Sequence, residues 1–309
     1  MLRVTVVCYA VFILRFMLRN FVILLFAFGS VIGATAAESA VLSNVAWQPQ
    51  ILVNGAVCLF AVDVAGSPQK ITGKWLGREL IFSHASGKTW YSLAGVAYET
   101  KPGTYDLALE VVTRDGHVLR EVKPITVHAA KYKSSRLTVP QKYVTPDPET
   151  LKRIEAEREI KNQAFAHSIP SPEWSGNFVA PVSTEISEAY GTSRTFNGKL
   201  ASVHRGLDFH APIGTPVHSS NAGEVVLARD LFYEGNCVVI DHGLGFMTMY
   251  MHLSEFKVKE GDKVDKDQVI ALSGGTGRAT GPHLHMSVRW SGEYLDPAKL
   301  LALKLPPQP

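Results

Sequence analysis

The sequence predicts a mainly β protein: an N-terminal antiparallel β-sandwich of the Ig-like type, a helical linker, and a second, compact antiparallel β domain. Three observations predict this. Residues 38–130 alternate apolar and polar side chains between frequent turns, residues 131–177 contain one helical stretch, and residues 178–302 return to short strands before a tail at 303–309. A chain of 309 residues, 46% of them hydrophobic, is long enough for two such domains.

Residues 1–37 have the pattern of an export signal. Residues 17–20 are a short charged segment, residues 21–33 are apolar, and Ala34-Thr35-Ala36 is a small-residue cleavage pattern. Residues 1–16 repeat the Arg-plus-apolar pattern, so either Met17 is the true start or the signal is unusually long. We expect cleavage rather than a retained anchor, and therefore no stable membrane span in the mature protein. The expected location is periplasmic or secreted, associated with the cell envelope.

The mature chain is formally neutral. Arg3, Arg15 and Arg19 lie in residues 1–37, which contain no acidic residue, so the remaining residues carry 28 basic and 28 acidic side chains. A basic surface for nucleic acid is therefore not indicated. Cys58 and Cys237 lie within apolar, strand-like runs of different predicted domains, and we expect two buried free thiols rather than a disulfide.

The first domain shows the clearest alternation at residues 105–112, where Leu107 and Leu109 alternate with polar neighbours after a Pro-Gly turn. Asp115-Gly116 is a further turn, and the next strand begins at Val118. This domain contains no cluster of histidines or carboxylates, so we expect it to position or dock the second domain.

The linker contains a helix with a clear start. Asp147 is a good N-cap, Pro148 suits the first helical position, and the helical pattern runs to about Ala166. Charged residues four positions apart, Glu149 with Arg153 and Glu157 with Lys161, predict a solvated face.

The second domain contains five stretches that read as strands. They are residues 223–228, 236–241, 246–252, 263–273 and 285–290.

Two short strings of this domain carry candidate metal ligands. In extended chain, residues two or four apart point to the same face, so His204 can act with Asp208, and His283 with His285. Two imidazoles and one carboxylate, with a fourth position left to water, match the ligand count of a catalytic rather than a structural zinc.

Other histidines of this region have simpler explanations. His210 precedes a loop turn, His218 lies in a strand-like run, and His242 lies in a hairpin turn that its imidazole is expected to order. His252 follows Tyr250 by two residues on a predicted strand, so both side chains are expected to face one cleft.

These residues resemble a known family. His204-x-x-x-Asp208, Tyr250-Met251-His252-Leu253 and Gly281-Pro282-His283-Leu284-His285 are similar to motifs of the lysostaphin-type (LytM-like) zinc metallopeptidases, which cut peptidoglycan. The resemblance covers about residues 178–300 and includes Gly191-x-x-Arg194-x-x-Asn197-Gly198 before the first motif. Gly261-Asp262-x-Val264 and Gly274-Gly275-Thr276-Gly277 precede the last one.

The resemblance implies one zinc ion per chain, bound by His204, Asp208 and His285, with His252 and His283 as catalytic residues. It also implies a compact antiparallel β domain with a groove above the zinc. Which histidine acts as the base stays open. Asn197 and Tyr250 are expected to contact substrate, although groove-wall packing is an equal alternative for Tyr250.

The function predicted in this way is that of an exported zinc endopeptidase that hydrolyses peptide cross-links of bacterial peptidoglycan. The alternative is a non-catalytic protein that binds the cell wall or activates another wall hydrolase. Other zinc or phosphate signatures are missing: the chain contains no H-E-x-x-H, and the glycines at 274–281 lack the Gly-Lys-Ser/Thr ending of a phosphate loop. Residues 257–274 resemble part of a biotinyl or lipoyl barrel, but no carrier lysine is evident.

Overall fold

Along the sequence, the strands form two main groups, one before and one after the long helix Pro148–Ala166. The computed structural model describes residues 41–66, 68–198 and 200–306. The export signal predicted for residues 1–37 lies outside these residues. Within them, no helix is long and apolar enough to cross a membrane.

The first group consists of nine strands. They are β1 Val41–Gln48, β2 Leu52–Val53, β3 Val57–Ala65, β4 Pro68–Trp75, β5 Arg78–Ile81, β6 Ser83–Ser86, β7 Thr89–Gly95, β8 Gly103–Thr113 and β9 Val118–His128. They form two sheets, with strand orders β1-β3-β7-β6 and β2-β9-β8-β4-β5. All pairings are antiparallel except that of β2 with β9. The predicted N-terminal sandwich is therefore confirmed.

Alternation of side chains explains how β8 contributes to this sandwich. Leu107, Leu109 and Val111 are buried, whereas the residues between them are partly exposed. Gly116, with φ of +86°, makes the turn into β9, a conformation that glycine adopts without steric cost. Both the strand and the turn agree with the sequence pattern.

A short strand and the helix connect the two groups. Strand β10 (Ser134–Leu137) pairs in parallel with a strand of the second group. A 3-10 turn at Gln141–Tyr143 precedes helix α1 (Pro148–Ala166). The carboxylate of Asp147 accepts hydrogen bonds from the N–H groups of Glu149 and Thr150, which confirms the predicted N-cap.

The expected solvated face of α1 is wrong in part. Glu157 is only 8% exposed, and its carboxylate accepts hydrogen bonds from Arg153 and from the backbone N–H of Phe232. Lys161 pairs with Glu234 rather than with Glu157. These charges hold the helix on the second group of strands, because each has a partner in the turn at residues 230–234.

The second group contains thirteen strands and a short helix. They are β11 Ile186–Glu188, β12 Ser193–Phe196, β13 Leu200–Val203, β14 Leu207–Phe209, β15 Pro216–His218, β16 Gly223–Leu231, β17 Gly235–Asp241, β18 Phe246–Leu253, β19 Glu255–Phe256, β20 Lys263–Val264, β21 Val269–Leu272, β22 Leu284–Trp290, β23 Glu293–Leu295 and α2 Pro297–Ala302. The main sheet has the order β11-β14-β22-β18-β17-β16-β20, with β23 paired to β22. Two small sheets have the orders β10-β12-β13 and β15-β21-β19.

Four of the five strands predicted in this region are confirmed, and one is wrong. The strand predicted at 263–273 is divided into β20 and β21. Between them Asp267 has a φ of +65°, and Asp265 and Gln268 hydrogen-bond to each other across a turn. The polar run Asp265-Lys266-Asp267-Gln268 gives this turn its local hydrogen bonds.

Apolar contacts join the two groups into one compact unit. A Cβ on Gly95 of the sandwich would meet the side chain of Leu295. The indole N–H of Trp174 lies 3.3 Å from the hydroxyl of Tyr91. The predicted free thiols Cys58 and Cys237 are both buried and unpaired.

Candidate metal centre and catalytic groove

Two candidate ligands lie opposite each other on neighbouring strands. Asp208 of β14 pairs with His285 of β22, and His285 in turn lies opposite Met251 of β18. Because directly opposite residues of an antiparallel pair point to the same face, the carboxylate and the imidazole project together. The third candidate, His204, lies three residues before β14.

The three side chains converge on one point. His204 Nε2 lies 3.0 Å from both Asp208 Oδ1 and His285 Nδ1, and His285 Nδ1 lies 2.7 Å from Asp208 Oδ1. All three residues are buried, with exposures of 1%, 5% and 7% for His204, Asp208 and His285. Among the described residues, this is the one group of three or more histidine, cysteine or acidic side chains whose ligand atoms come this close.

Hydrogen bonds behind the two imidazoles determine which nitrogen faces this point. His204 Nδ1 donates to the carbonyl of Ala189, at 2.9 Å. Ser287 Oγ uses its proton to donate to the carbonyl of Arg205, so it accepts from His285 Nε2–H, at 2.9 Å. The nitrogens that face Asp208 therefore carry lone pairs.

Three lone-pair atoms thus face each other with no proton between them, an arrangement that a cation would stabilise. Two imidazole nitrogens and one carboxylate oxygen fit zinc, and three protein ligands leave a position for water or substrate. The donor set therefore fits the metal that the sequence motifs imply.

An arginine binds the outer oxygen of the carboxylate. Arg194 Nη2 lies 2.6 Å from Asp208 Oδ2, and the same guanidinium pairs with Glu188. Asp208 therefore directs Oδ1 to the imidazoles and Oδ2 to Arg194. The motif that contains Arg194 supports the family resemblance, but the sequence did not predict this contact. The arginine in the Gly191-x-x-Arg194 motif, shortly before the first candidate ligand, is the sequence signal that could have found it.

His252 and His283 lie beside the three ligand atoms. Their ring centroids are 4.7 Å apart, and His283 Nε2 is 3.9 Å from Asp208 Oδ1. His252 Nδ1 donates to the carbonyl of Thr276, and His283 Nδ1 donates to that of Gly281, each at 2.8 Å. Both Nε2 atoms therefore carry lone pairs, and both rings line the groove.

The expectation that Tyr250 and His252 face one cleft is wrong for Tyr250. Tyr250 is fully buried on the opposite face of the sheet, where its hydroxyl accepts a hydrogen bond from the N–H of Ser220. His252 has a φ of +62°, which breaks the strand alternation and turns its ring into the groove with Met251. This conformation cannot be deduced from residue spacing.

Asn197 does not line the groove either. Its side-chain oxygen accepts from the N–H of Val139, and its side-chain nitrogen donates to the carbonyl of Val139. Asn197 therefore holds a segment of the groove wall instead of facing substrate, contrary to the expected role.

The remaining histidines agree with their simpler explanations. His242 is fully buried and bridges the carbonyl of Ala222 and the hydroxyl of Thr248, so it orders its hairpin. His218 lies in β15 and is not among the described residues that line the groove. His210 is exposed and lines the groove, but it is not part of the metal-ligand group.

Burial and neighbouring groups set the protonation states of the site. Burial opposes the ionisation of Asp208, but His285 and His204 outweigh it and lower the pKa of that carboxyl. Burial lowers the pKa of His285 to about 4. Burial, and then the neighbouring His283 and His285, lower the pKa of His252 to about 3. Both imidazoles are therefore neutral at pH 7.

The groove has a volume of about 530 Å³ and extends beyond the metal-ligand group. Leu137, Val139 and Phe196 form an apolar part of its wall, next to Tyr233 and Arg278. Leu137 and Val139 belong to the predicted linker. They reach the groove because strand β10 of this linker pairs with β12. The segment between the two strand groups therefore contributes to the groove.

Comparison with known proteins identifies relatives that are similar to the segment containing the site. The family model described as Peptidase family M23 matches residues 202–297. The peptidoglycan DD-endopeptidase ShyA of Vibrio cholerae is 50% identical over 101 residues, which is 33% of this chain and 24% of that protein. The DD-carboxypeptidase/endopeptidase Mpg of Neisseria meningitidis is 42% identical over 98 residues, which is 32% of this chain and 23% of that protein. The match thus spans about a quarter of the length of these two relatives.

A solved structure extends the similarity over most of the chain. A crystal structure described as a peptidase M23 from Pseudomonas aeruginosa is 31% identical to this chain, with a TM-score of 0.62. The match covers 81% of this chain and 94% of that one. The similarity therefore includes strands outside the matched family segment.

Proposed function

The chain belongs to peptidase family M23, and from this premise we propose that it is an exported zinc-dependent endopeptidase that hydrolyses peptide cross-links of bacterial peptidoglycan. The observation that carries the proposal is the convergence of three lone-pair atoms, on His204, Asp208 and His285, within 3.0 Å of one another. Relatives that are named as peptidoglycan DD-endopeptidases support the substrate class.

In this proposal His204, Asp208 and His285 hold one zinc ion per chain. Zinc bound there would supply a Lewis acid that polarises a peptide carbonyl and makes water more acidic. The hydrogen bonds from His204 to Ala189 and from His285 to Ser287 keep both rings in the tautomer that the metal requires.

His252 and His283 handle protons beside the scissile bond. Each Nδ1 is held by a backbone carbonyl, so each Nε2 can accept a proton from the attacking water or pass one to the leaving amine. Burial keeps His252 neutral at pH 7, so its Nε2 carries no proton before the reaction. When protonated, the same nitrogens can donate to the developing oxyanion.

Export would bring the enzyme to its substrate. The pattern of residues 1–37 supports transport out of the cytoplasm, and the neutral charge of the rest of the chain gives no support to a nucleic-acid partner. We therefore propose a periplasmic or secreted protein that acts at the cell envelope on peptidoglycan peptides.

Digestion of purified cell-wall sacculi tests the proposal. We expect the purified protein to contain about one zinc ion per chain. It should release soluble muropeptides, identified by mass, and a chelator should stop the release. Absence of zinc, with binding to sacculi but no release, would favour the non-catalytic wall-binding alternative.

Two substitutions separate metal binding from proton transfer. Asp208→Ala should lose the zinc, whereas His283→Ala should keep it and lose roughly 100- to 10,000-fold of the activity. Metal content and rates of muropeptide release are measured on both. Full activity of either variant would contradict the proposed site.

A further inference from the structure

Arg278 is an unpaired cation in the wall of the groove. Charged side chains that line the groove otherwise form ion pairs, namely Glu188 with Arg194, Arg194 with Asp208, Arg205 with Glu99, and Glu234 with Lys161. No ion pair or side-chain hydrogen bond of Arg278 occurs within the described ranges 41–66, 68–198 and 200–306. Its guanidinium therefore keeps its donors for a group that enters the groove.

Two aromatic rings hold this guanidinium in place. Its central carbon lies 4.8 Å from the ring centroid of Phe196 and 4.7 Å from that of Tyr233. The backbone N–H of Arg278 also donates to the carbonyl of Tyr233, at 2.9 Å. These ring contacts use none of the N–H donors in a hydrogen bond, so the planar fork can still bind a carboxylate in bidentate geometry.

Burial makes an external partner favourable. The side chain is half-buried, and this burial lowers the pKa of the guanidinium because it disfavours the charged form. Glu234 is the acidic residue that acts on it electrostatically, but Lys161 already binds one oxygen of Glu234. An anion in the groove would compensate the charge that the protein leaves unpaired.

The position of Arg278 relates it to the bond that is cut. It lies between Thr276 and Gly281, whose carbonyls hold the rings of His252 and His283. One loop therefore orients both catalytic histidines and carries the unpaired cation, so a substrate seated across the histidines also passes Arg278.

We infer that Arg278 binds a free carboxylate of the peptide substrate and makes the enzyme selective for carboxylate-bearing over amidated cross-links. This inference rests on the proposed function and names the substrate class more narrowly. Arg278 is thus a specificity residue, and the apolar wall of Leu137, Val139 and Phe196 suits the aliphatic part of the chain that carries the carboxylate.

A matched pair of substrates tests the inference. The substrate is a cross-linked dimer of two stem peptides joined through D-alanine and a diamino acid, with its carboxylates either free or converted to carboxamides. We expect kcat/KM of the zinc-loaded, full-length enzyme to be roughly ten- to a hundredfold higher for the free form, as for the loss of one charge-assisted hydrogen bond.

Variants assign this preference to the residue. Arg278→Met, which keeps length and apolar contact, should remove the preference, and Arg278→Lys should keep part of it. Arg229→Met is the matched control, because Arg229 pairs with Glu260 outside the groove, and it should keep the full preference. Circular dichroism and zinc content identify a misfolded variant, in which case Arg278→Gln takes its place.

The outcomes are distinct. Equal rates of the wild-type enzyme on both substrates, or an unchanged preference in Arg278→Met, would overturn the inference and leave the proposed endopeptidase intact. Cleavage of neither substrate, and none of sacculi, would overturn the proposed function and this inference with it.

Discussion

Arg194 contacts the proposed metal centre without being one of its proposed ligands. Its guanidinium holds Oδ2 of Asp208, so that the carboxylate presents Oδ1 to the two imidazoles. Outer partners of this kind orient ligands, and their loss costs metal affinity of about 10- to 100-fold. We therefore expect Arg194→Met to bind zinc roughly 10- to 100-fold more weakly than the wild type, measured by competition with a chromophoric chelator.

The control for this substitution is Arg229→Met, which breaks a surface ion pair with Glu260. It should leave zinc affinity unchanged. Equal affinities of the Arg194 variant and the wild type would show that the carboxylate is oriented without the arginine.

Gly206 is required by close packing next to His285, a proposed ligand. A Cβ at this position would meet Nε2 of His285 and the carbonyl of Met286. Gly206→Ala should therefore displace the imidazole and reduce zinc content, measured by atomic absorption after gel filtration. Gly275→Ala is the control, since its Cβ would have no neighbour closer than 3.8 Å. Full zinc content in Gly206→Ala would show that the imidazole of His285 does not need this space.

At the residue scale, residue spacing and the motifs predicted the five side chains that meet in the groove, but not the residues that surround and orient them. His204, Asp208, His252, His283 and His285 meet in one groove, as the motifs implied. The expected roles of Tyr250 and Asn197 are wrong. The prediction for Tyr250 and His252 assumed that side chains alternate along a regular strand. The positive φ of His252 breaks this alternation, so the two side chains lie on different faces.

At the element scale, helix α1 is held by a buried acid. The carboxylate of Glu157 binds Arg153 and the N–H of Phe232, so Glu157→Ala would leave the N–H without a partner and Arg153 with Asp230 alone. We expect a loss of about 1–3 kcal/mol in the free energy of unfolding, measured by urea denaturation.

Glu155→Ala is the matched control on the same helix, because Glu155 is exposed and pairs with Arg158 alone. Its effect should stay within about 0.5 kcal/mol. Similar losses in the two variants would show that the buried contact adds no stability.

The hairpin between β17 and β18 makes stability depend on pH. Burial lowers the pKa of His242 to about 4 from its ordinary value of 6.5, so below pH 6.5 the unfolded chain binds a proton that the folded chain does not bind. Its contribution to the free energy of unfolding therefore falls as the pH drops, by about 2 kcal/mol between pH 7 and pH 5.

Denaturation across this interval checks the assignment. His242→Asn should be less stable at pH 7, but its stability should fall less steeply towards pH 5. His117→Asn, which replaces an exposed histidine, should follow the wild-type slope. A wild-type slope in the His242 variant would contradict the assignment.

Local pattern predicted the type of most elements because period, turn residues and caps are local properties. The N-cap of α1, the turn at Gly116 and strands β16, β17, β18 and β22 all agree with it. The division of residues 263–273 into two strands and the docking of α1 were not predicted by the local pattern. Docking depends on partners at residues 230–234, far away in the sequence, and no local pattern records such a partner.

At the scale of the whole molecule, the two strand groups share one apolar core. Gly95 of the sandwich leaves room for Leu295, and the N–H of Asp296 donates to the carbonyl of Gly55. We therefore expect a single cooperative unfolding transition by calorimetry. Gly95→Ala should lower the Tm of the whole transition, because the added methyl would meet Leu295.

Gly103→Ala is the control, since its Cβ would find nothing closer than 3.7 Å. Two separate transitions, with only one shifted by Gly95→Ala, would contradict a shared core. The sequence does not indicate this interface, because residues such as Gly95 and Leu295 look like ordinary strand residues until the partner surface is known.

The loop of residues 274–281 has a consequence for how such an enzyme can acquire new substrates. Replacement of the whole loop to admit a new peptide would also remove the carbonyls of Thr276 and Gly281 that aim the histidines. Exchange of the side chain at position 278 alone would not, because its link to Tyr233 runs through the backbone N–H. Evolution or a designer can therefore retune substrate choice at one position while leaving the reaction chemistry in place.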